Sequence, residues 1–401
     1  MHSSISSSEV LRGAGQPAAA GAPDRYARQT AADRPGVAQP VPLRPVPAQP
    51  WGRILIAVVL LLAVLVAGWE AYWRAYDVRP SVANSNGLWA IQRRRIDAGE
   101  GDATVLLGDS RLYFDTRLPI WERLDGRRPI QLSFEGTSPR MALEDLAADP
   151  KFTGRVVVGI SPQVFFLGFG FRADAIRYAH KESPSQRIGQ WLSMHLIEPY
   201  FAFDDGDYAL QTVLARQPWP ARPGRFWFRD VRKLSDHEPD RNTYLWDKVS
   251  ADPQYRAIAR GIWAQRFNHP EEAPPPAVLL KAESEAIDKT AKAVTQLRAR
   301  GVKVLFVRLP SSGAYLEFER KVWPRARTWD KLLLASGAPG IHFEDYPEMQ
   351  GFYLPEWSHM TLAESERFTP VLYNIIQRDF WGPRATATAA PVAAAPAAAA
   401  K

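Results

Sequence analysis

The sequence predicts an α/β protein: a three-layer α/β/α domain on a parallel sheet, with an aromatic-rich insertion, preceded by one transmembrane helix. Three observations lead there. Short runs of β-branched and aliphatic residues alternate with stretches of helical periodicity, the pattern of a parallel sheet covered on both faces. Residues 54–69 form an uncharged, apolar run. Between about 165 and 280 the alternation gives way to aromatic, proline-containing chain.

Residues 1–50 are expected to be a disordered cytoplasmic tail. They are rich in Ala, Ser, Gly and Pro, with Pro40, Pro42, Pro45, Pro47 and Pro50 crowded at the end. Such a segment buries too little apolar surface to offset its ordering entropy. Residues 51–73 are expected to be an uncleaved transmembrane signal anchor. The apolar run is a little short of the ~20 residues a bilayer core needs. Trp51 and Arg53 on one side, and Trp69, Tyr72 and Trp73 on the other, suit the interfaces and extend it. A long tail before the run argues against a cleaved signal peptide. Arg12, Arg25, Arg28, Arg34, Arg44 and Arg53 outweigh Glu9, Asp24 and Asp33 on that side. This bias favours a cytoplasmic N-terminus, hence a single-pass inner-membrane protein with a periplasmic body.

The folded body is expected over 78–383. Thr104–Leu107, 130–132, 155–160 and 302–307 read as strands, the third apolar enough to be buried on both faces. Arg140–Ala148 and 282–300 read as helices, the second closed by Gly301. The insertion at about 165–280 carries Trp191, Tyr200, Phe201, Phe203, Trp219, Trp227, Trp246 and Trp263. A lid that meets substrate and a second structural layer fit this composition equally. Residues 384–401 form an Ala/Pro tail expected to be disordered.

Composition narrows the chemistry. The chain of 401 residues carries a net charge of +7, but its basic residues are scattered among acids. The longest basic clusters, Arg93 to Arg95 and Arg127 with Arg128, are too short for a nucleic-acid footprint, so no nucleic-acid partner is expected. The absence of cysteine removes disulfides, thiolate metal sites and cysteine nucleophiles. There is no Walker or dinucleotide glycine pattern and no His-rich cluster, so no cofactor or metal is expected. A Gly-x-Ser-x-Gly elbow is also missing, which argues against an α/β-hydrolase.

Gly108-Asp109-Ser110-Arg111 follows the strand that looks central. Ligands of doubly wound sheets bind at the carboxyl ends of strands, so a serine there can point into the crevice. An ordinary strand-to-helix turn capped by Asp or Ser uses the same residues. A nucleophilic serine needs a base, and the base needs a group to hold its tautomer. His359 lies near the end of the body with Glu356 three residues before it, a spacing that turns both side chains toward one point. A surface pair has the same spacing. Arg308 and Ser311 end a strand on the same side of the sheet, where they would meet an anionic or glycan substrate or form a plain loop.

Taken together, Gly-Asp-Ser near the start and acid-x-x-His near the end, with strands between, resemble the SGNH (GDSL-like) hydrolase superfamily over roughly 100–165 and 300–375. The resemblance implies a flavodoxin-like, SGNH-type sheet. It implies Ser110 as nucleophile, His359 as general base and Glu356 as the residue orienting it, although the family's usual acid is Asp. It further implies an oxyanion hole made by the Ser110 and Gly136 backbones. The family's third donor, the Asn of a Gly-x-Asn-Asp block, is absent here; Gly159-Ile160-Ser161-Pro162-Gln163 stands in its place, and Ser161 or Gln163 would donate instead. Arg111, Arg308 and Ser311 are the expected substrate contacts. This departure is similar to the divergent membrane-anchored branch, the alginate O-acetylation and D-alanyl transfer proteins. Their setting implies a serine esterase or O-acyltransferase acting on a cell-envelope polysaccharide or lipid-linked acyl acceptor, beside the lipid bilayer and a membrane-bound O-acyltransferase. The alternative is a catalytically weak scaffold or accessory subunit of such an acyltransferase complex.

Overall fold

The computed structural model describes residues 49–215, 233–268 and 274–382. The two expected tails, apart from residues 49 and 50, lie outside the described residues, as do Trp219 and Trp227 of the insertion. Residues 63–401 form one compact unit and the residues up to 62 another. Helix α1 (Trp51–Ala75) has 25 residues and is long and apolar enough to cross a membrane. None of its most apolar window is buried by protein.

The body opens with α2 (Asn86–Arg95), capped by the Ser85 side chain. Strand β1 (Thr104–Leu107) leads into α3 (Ser110–Asp115) and α4 (Leu118–Asp125). Then come β2 (Ile130–Gln131), α5 (Arg140–Ala148), β3 (Arg155–Gly159) and α6 (Pro162–Leu167). The irregular stretch expected at about 165–280 holds α7 (Asp174–Lys181), α8 (Pro184–Leu196) and α9 (Leu210–Ala215). It continues with the antiparallel pair β4 (Ser235–His237) and β5 (Thr243–Leu245), then α10 (Asp247–Ala251) and α11 (Pro253–Asn268). The alternation resumes with α12 (Pro276–Ala299), β6 (Lys303–Arg308), α13 (Gly313–Val322) and α14 (Trp329–Ser336). The edge strand β7 (Gly340–His342) and α15 (Leu362–Ile376) follow, and a last helical turn spans Gln377–Trp381.

The main sheet has five strands in the order β2-β1-β3-β6-β7, every pair parallel. Alternation along the strands divides the core in two. Val105, Leu107, Val156, Val158, Val304 and Phe306 pack under α5 and α12. Leu106, Val157, Leu305 and Val307 pack on the other face against α4 and α15. Because both faces are covered, the central residues of these strands are apolar. β7 escaped the sequence reading because Gly-Ile-His is too short to show a period. Its glycine is dictated by packing, since a Cβ at Gly340 would lie 2.6 Å from the Trp329 ring.

The insertion has its own small core. Tyr208, Trp246, Val249 and Tyr255 are buried with Trp73 and Val78 from the end of α1 and just beyond it. That part of the insertion is a structural layer.

Candidate active site

The site lies where β1 and β3 end. A Cβ on Gly108 would sit 2.6 Å from Leu112 Cβ, and one on Gly159 2.7 Å from the same atom. The two glycines therefore let α3 settle directly onto the strand ends. Asp109 caps α3, its Oδ1 accepting the Arg111 N–H at 3.1 Å, and Ser110 opens the helix half-buried.

His359 arrives from the loop before α15. Its Nε2 lies 2.8 Å from Ser110 Oγ, although the two residues are 249 apart in sequence. Its Nδ1 lies 2.9 Å from Glu356 Oε1, which also accepts the His359 backbone N–H at 2.6 Å. The second carboxylate oxygen, Oε2, accepts the indole N–H of Trp263 from α11. His359 and Glu356 are fully buried. Trp357, between them, has φ +75, a left-handed conformation uncommon for a large side chain. Its carbonyl accepts the Ser312 N–H at 2.9 Å, one of the contacts that hold this strained turn.

With Nδ1–H directed at Glu356, His359 presents an acceptor nitrogen to the serine hydroxyl. Burial by itself would lower the His359 pKa. The Glu356 carboxylate and, beyond it, Asp115 outweigh that and hold it above the ordinary value. Asp115 ends α3 fully buried, and its Oδ1 accepts the Met360 N–H at 2.9 Å. Burial pushes its pKa up to about 7, against the pull of His359.

The expected oxyanion residues are placed as follows. The Phe134 N–H donates to Gly108 O at 2.9 Å, which lays the segment leading to Gly136 beside the Ser110 turn. Gly136 has φ +53, left-handed backbone for which glycine is suited. Ser161 is buried close to the Asp109 carboxyl, and its hydroxyl makes no hydrogen bond among the described residues. Burial raises the Asp109 pKa, and Arg111 and Ser161 pull it partly back. Gln163 is buried on the first turn of α6.

The expected substrate contacts Arg111, Arg308 and Ser311 are buried inside the fold. Arg111 and Arg308 are 1% and 4% exposed, and both are committed to Glu319 of α13. Arg111 Nη2 is 2.9 Å from Glu319 Oε1, and Arg308 Nη2 is 2.6 Å from Oε2. Ser311 donates to the same Oε2 at 2.7 Å. Burial would raise the Glu319 pKa, but the two guanidinium groups hold it down. Arg111 Nε also donates to Ser358 Oγ at 3.1 Å. Arg111 and Ser358 are the chain neighbours of Ser110 and His359, so this bond ties nucleophile and base loops together. These charges are used inside the fold because leaving one buried and unpaired would be costly.

Asp115 carried no signal in the sequence, and Trp263 only its place among the aromatics of the insertion. Neither lies in a motif, and each meets the site through a contact made by folding. The same is true of His237, whose Nε2 lies 3.3 Å from Glu135 Oε1 and whose Nδ1 lies 3.4 Å from the Tyr113 hydroxyl, three residues after Ser110.

The arrangement can pass a proton from a serine hydroxyl to an imidazole held by a carboxylate. Compared with known proteins, the chain matches no family model and no curated protein.

Proposed function

We propose that this protein is a membrane-anchored, extracytoplasmic SGNH-type serine esterase or O-acyltransferase. Its substrate would be an acyl ester of a cell-envelope glycan or a lipid-linked acceptor. The observation that carries the reading is the relay from Ser110 Oγ to His359 Nε2 at 2.8 Å and from His359 Nδ1 to Glu356 at 2.9 Å. The strand order supports it as well. Counting strands of the main sheet alone, β2-β1-β3-β6-β7 is the 2-1-3-4-5 order of flavodoxin-like folds, whose switch point lies between the first and third strands. Ser110 stands at that point.

Ser110 Oγ attacks the ester carbonyl while His359 Nε2 takes its proton, and Glu356 stabilises the imidazolium. Charge collects on the carbonyl oxygen, facing the Ser110 and Gly136 N–H groups, with Ser161 or Gln163 as the third donor. Collapse of the intermediate expels the alcohol, which takes the proton from His359, and leaves acyl-Ser110. Water or an acceptor hydroxyl then gives its proton to His359 and attacks the acyl group, and the acyl–Ser110 bond breaks as His359 returns that proton to Ser110 Oγ. The Arg bias of the N-terminal segment supports a cytoplasmic tail and a periplasmic body. Anchoring raises the effective concentration of the body on membrane-bound substrate.

The test is labelling of the full-length, detergent-solubilised chain by a fluorophosphonate, with Ser110→Ala as control. Covalent modification at Ser110, lost in the variant, is expected. A folded protein that takes no label overturns the enzyme reading in favour of a scaffold or accessory subunit. Its specific support would be the absent Asn donor, in whose place Gly159-Ile160-Ser161-Pro162-Gln163 stands.

A further inference from the structure

Helix α8 presents its apolar side to solvent. Its start is fixed by a capping box between Ser183 and Gln186. Its inward side is formed by Gln190, whose Oε1 accepts from Ser85 Oγ at 2.6 Å, and by Met194, which packs with Val82 and Leu88. Ile188, Trp191, Leu192 and Leu196 fall on the opposite side at helical spacing, and their exposures run from 41% to 60%. An ordinary surface helix has the reverse arrangement. The exposed stripe runs on through Ile197 to Tyr200, itself 59% exposed. A contiguous apolar surface of this kind marks a contact.

The occupant is indicated by what the stripe is fastened to. The Glu70 carboxylate in the last turns of α1 accepts the Ala202 and Phe203 N–H groups at 3.0 and 3.1 Å. Arg74 donates to the Tyr200 carbonyl at 2.9 Å, and the Trp73 and Tyr208 rings pack at a tilt with centroids 4.4 Å apart. All of these residues belong to the unit 63–401. On α1 itself, Val64, Leu65 and Val66 are exposed apolar residues, followed by Trp69, Tyr72 and Trp73. Such aromatics sit at the headgroup level of a membrane-crossing helix. The end of the α8 stripe is clamped to the same turns of α1, so its neighbour at that level is lipid.

We propose that α8 and residues 197–200 form a monotopic contact that lies in the bilayer interface, its apolar side among the upper acyl chains. With one spanning helix and one interfacial contact, the body cannot rotate freely about its anchor. The inference rests on α1 being a membrane span, and not on the chemistry of Ser110.

The chain has no cysteine, so single nitroxide labels can be introduced without other changes. Leu192→Cys, Leu196→Cys and Tyr200→Cys would be labelled in the full-length chain, in nanodiscs of equal parts phosphatidylglycerol and phosphatidylcholine. Leu65→Cys in α1 serves as the lipid reference. Leu334→Cys on α14, 85% exposed, serves as the water reference. The relative accessibility of each label to oxygen and to a water-soluble nickel chelate is measured. An oxygen-to-nickel ratio at 192, 196 and 200 several-fold above that at 334, approaching that at 65, is expected. Ratios equal to that at 334, with 65 still lipid-like, overturn the proposal and leave the anchor standing. Protection from both reagents overturns it too, because a protein or a second copy then covers the stripe. A water-like label at 65 overturns both.

Discussion

Trp263 and Glu356, from the insertion and from the loop before α15, are joined by a hydrogen bond from the indole Nε1 to the carboxylate that holds His359. The Trp263 ring also lies flat over Tyr315, with centroids 5.8 Å apart. Part of the insertion thus reaches the acid of the relay, whereas the part around Trp246 forms a separate core.

Trp263→Phe keeps a ring and removes the donor. A hydrogen bond to a charged group contributes about 1.5–3 kcal/mol. We expect the rate of fluorophosphonate labelling to fall by roughly 10-fold or more, beyond the effect of a melting temperature lowered by a few degrees. An unchanged rate would assign Trp263 to packing alone.

His359 must be neutral to accept the Ser110 proton, and its pKa is held above the ordinary 6.5. Labelling should therefore rise with pH through a midpoint above 6.5. A raised histidine pKa contributes stability fully below the unfolded value, and this is lost as pH rises through the folded one. Asp115 acts in the same direction by another route. Its folded pKa is about 7 against an ordinary 3.8, so stability falls as pH rises between those values. Asp115→Asn keeps an oxygen for the Met360 N–H and removes the titration. Its melting temperature should exceed that of the parent at pH values above about 7, with a smaller difference near the ordinary carboxylate range. A difference independent of pH would contradict the assignment.

Glu319 is shared by two buried arginines. Glu319→Gln leaves both without their counter-charge, a change that costs about 3–5 kcal/mol in buried pairs. Chemical denaturation should show a loss of this order, and labelling should fall with it because Arg111 also holds Ser358.

Gly159→Ala places a methyl group 2.7 Å from Leu112 Cβ. Overpacking of this kind costs about 1–3 kcal/mol. Moving α3 also moves Ser110, so labelling should slow by more than the stability loss explains. Equal labelling in a folded variant would show that α3 tolerates the displacement.

Ser161 Oγ has no hydrogen-bond partner among the described residues, so it is free to donate to an oxyanion, as is the amide of Gln163. Ser161→Ala and Gln163→Ala should be compared by kcat on an acyl ester, and a loss of roughly 100-fold in one of them is expected for the third donor. Full activity in both would show that the site works with two donors.

The local parts of this protein were legible from its sequence. Thr104–Leu107 and Arg140–Ala148 declare themselves by residue type and period, and α1 by its unbroken apolar run. The Gly-Asp-Ser turn and Glu356 with His359 are short-range patterns, written within a few adjacent residues. Their meeting is another matter, since 249 residues separate Ser110 from His359 and only the parallel sheet brings β1 and the last loop to one edge of the crevice. Folding likewise decided that Arg111 and Arg308 serve Glu319. A charged residue at a strand end looks the same in sequence whether it faces a ligand or a buried carboxylate. Trp263 could not be told from its aromatic neighbours until α11 brought its indole N–H to Glu356, nor could the outward side of α8 be read before Gln190 and Met194 had found their partners. Periodicity records which residues share a face, but what that face meets depends on contacts between segments far apart in the chain.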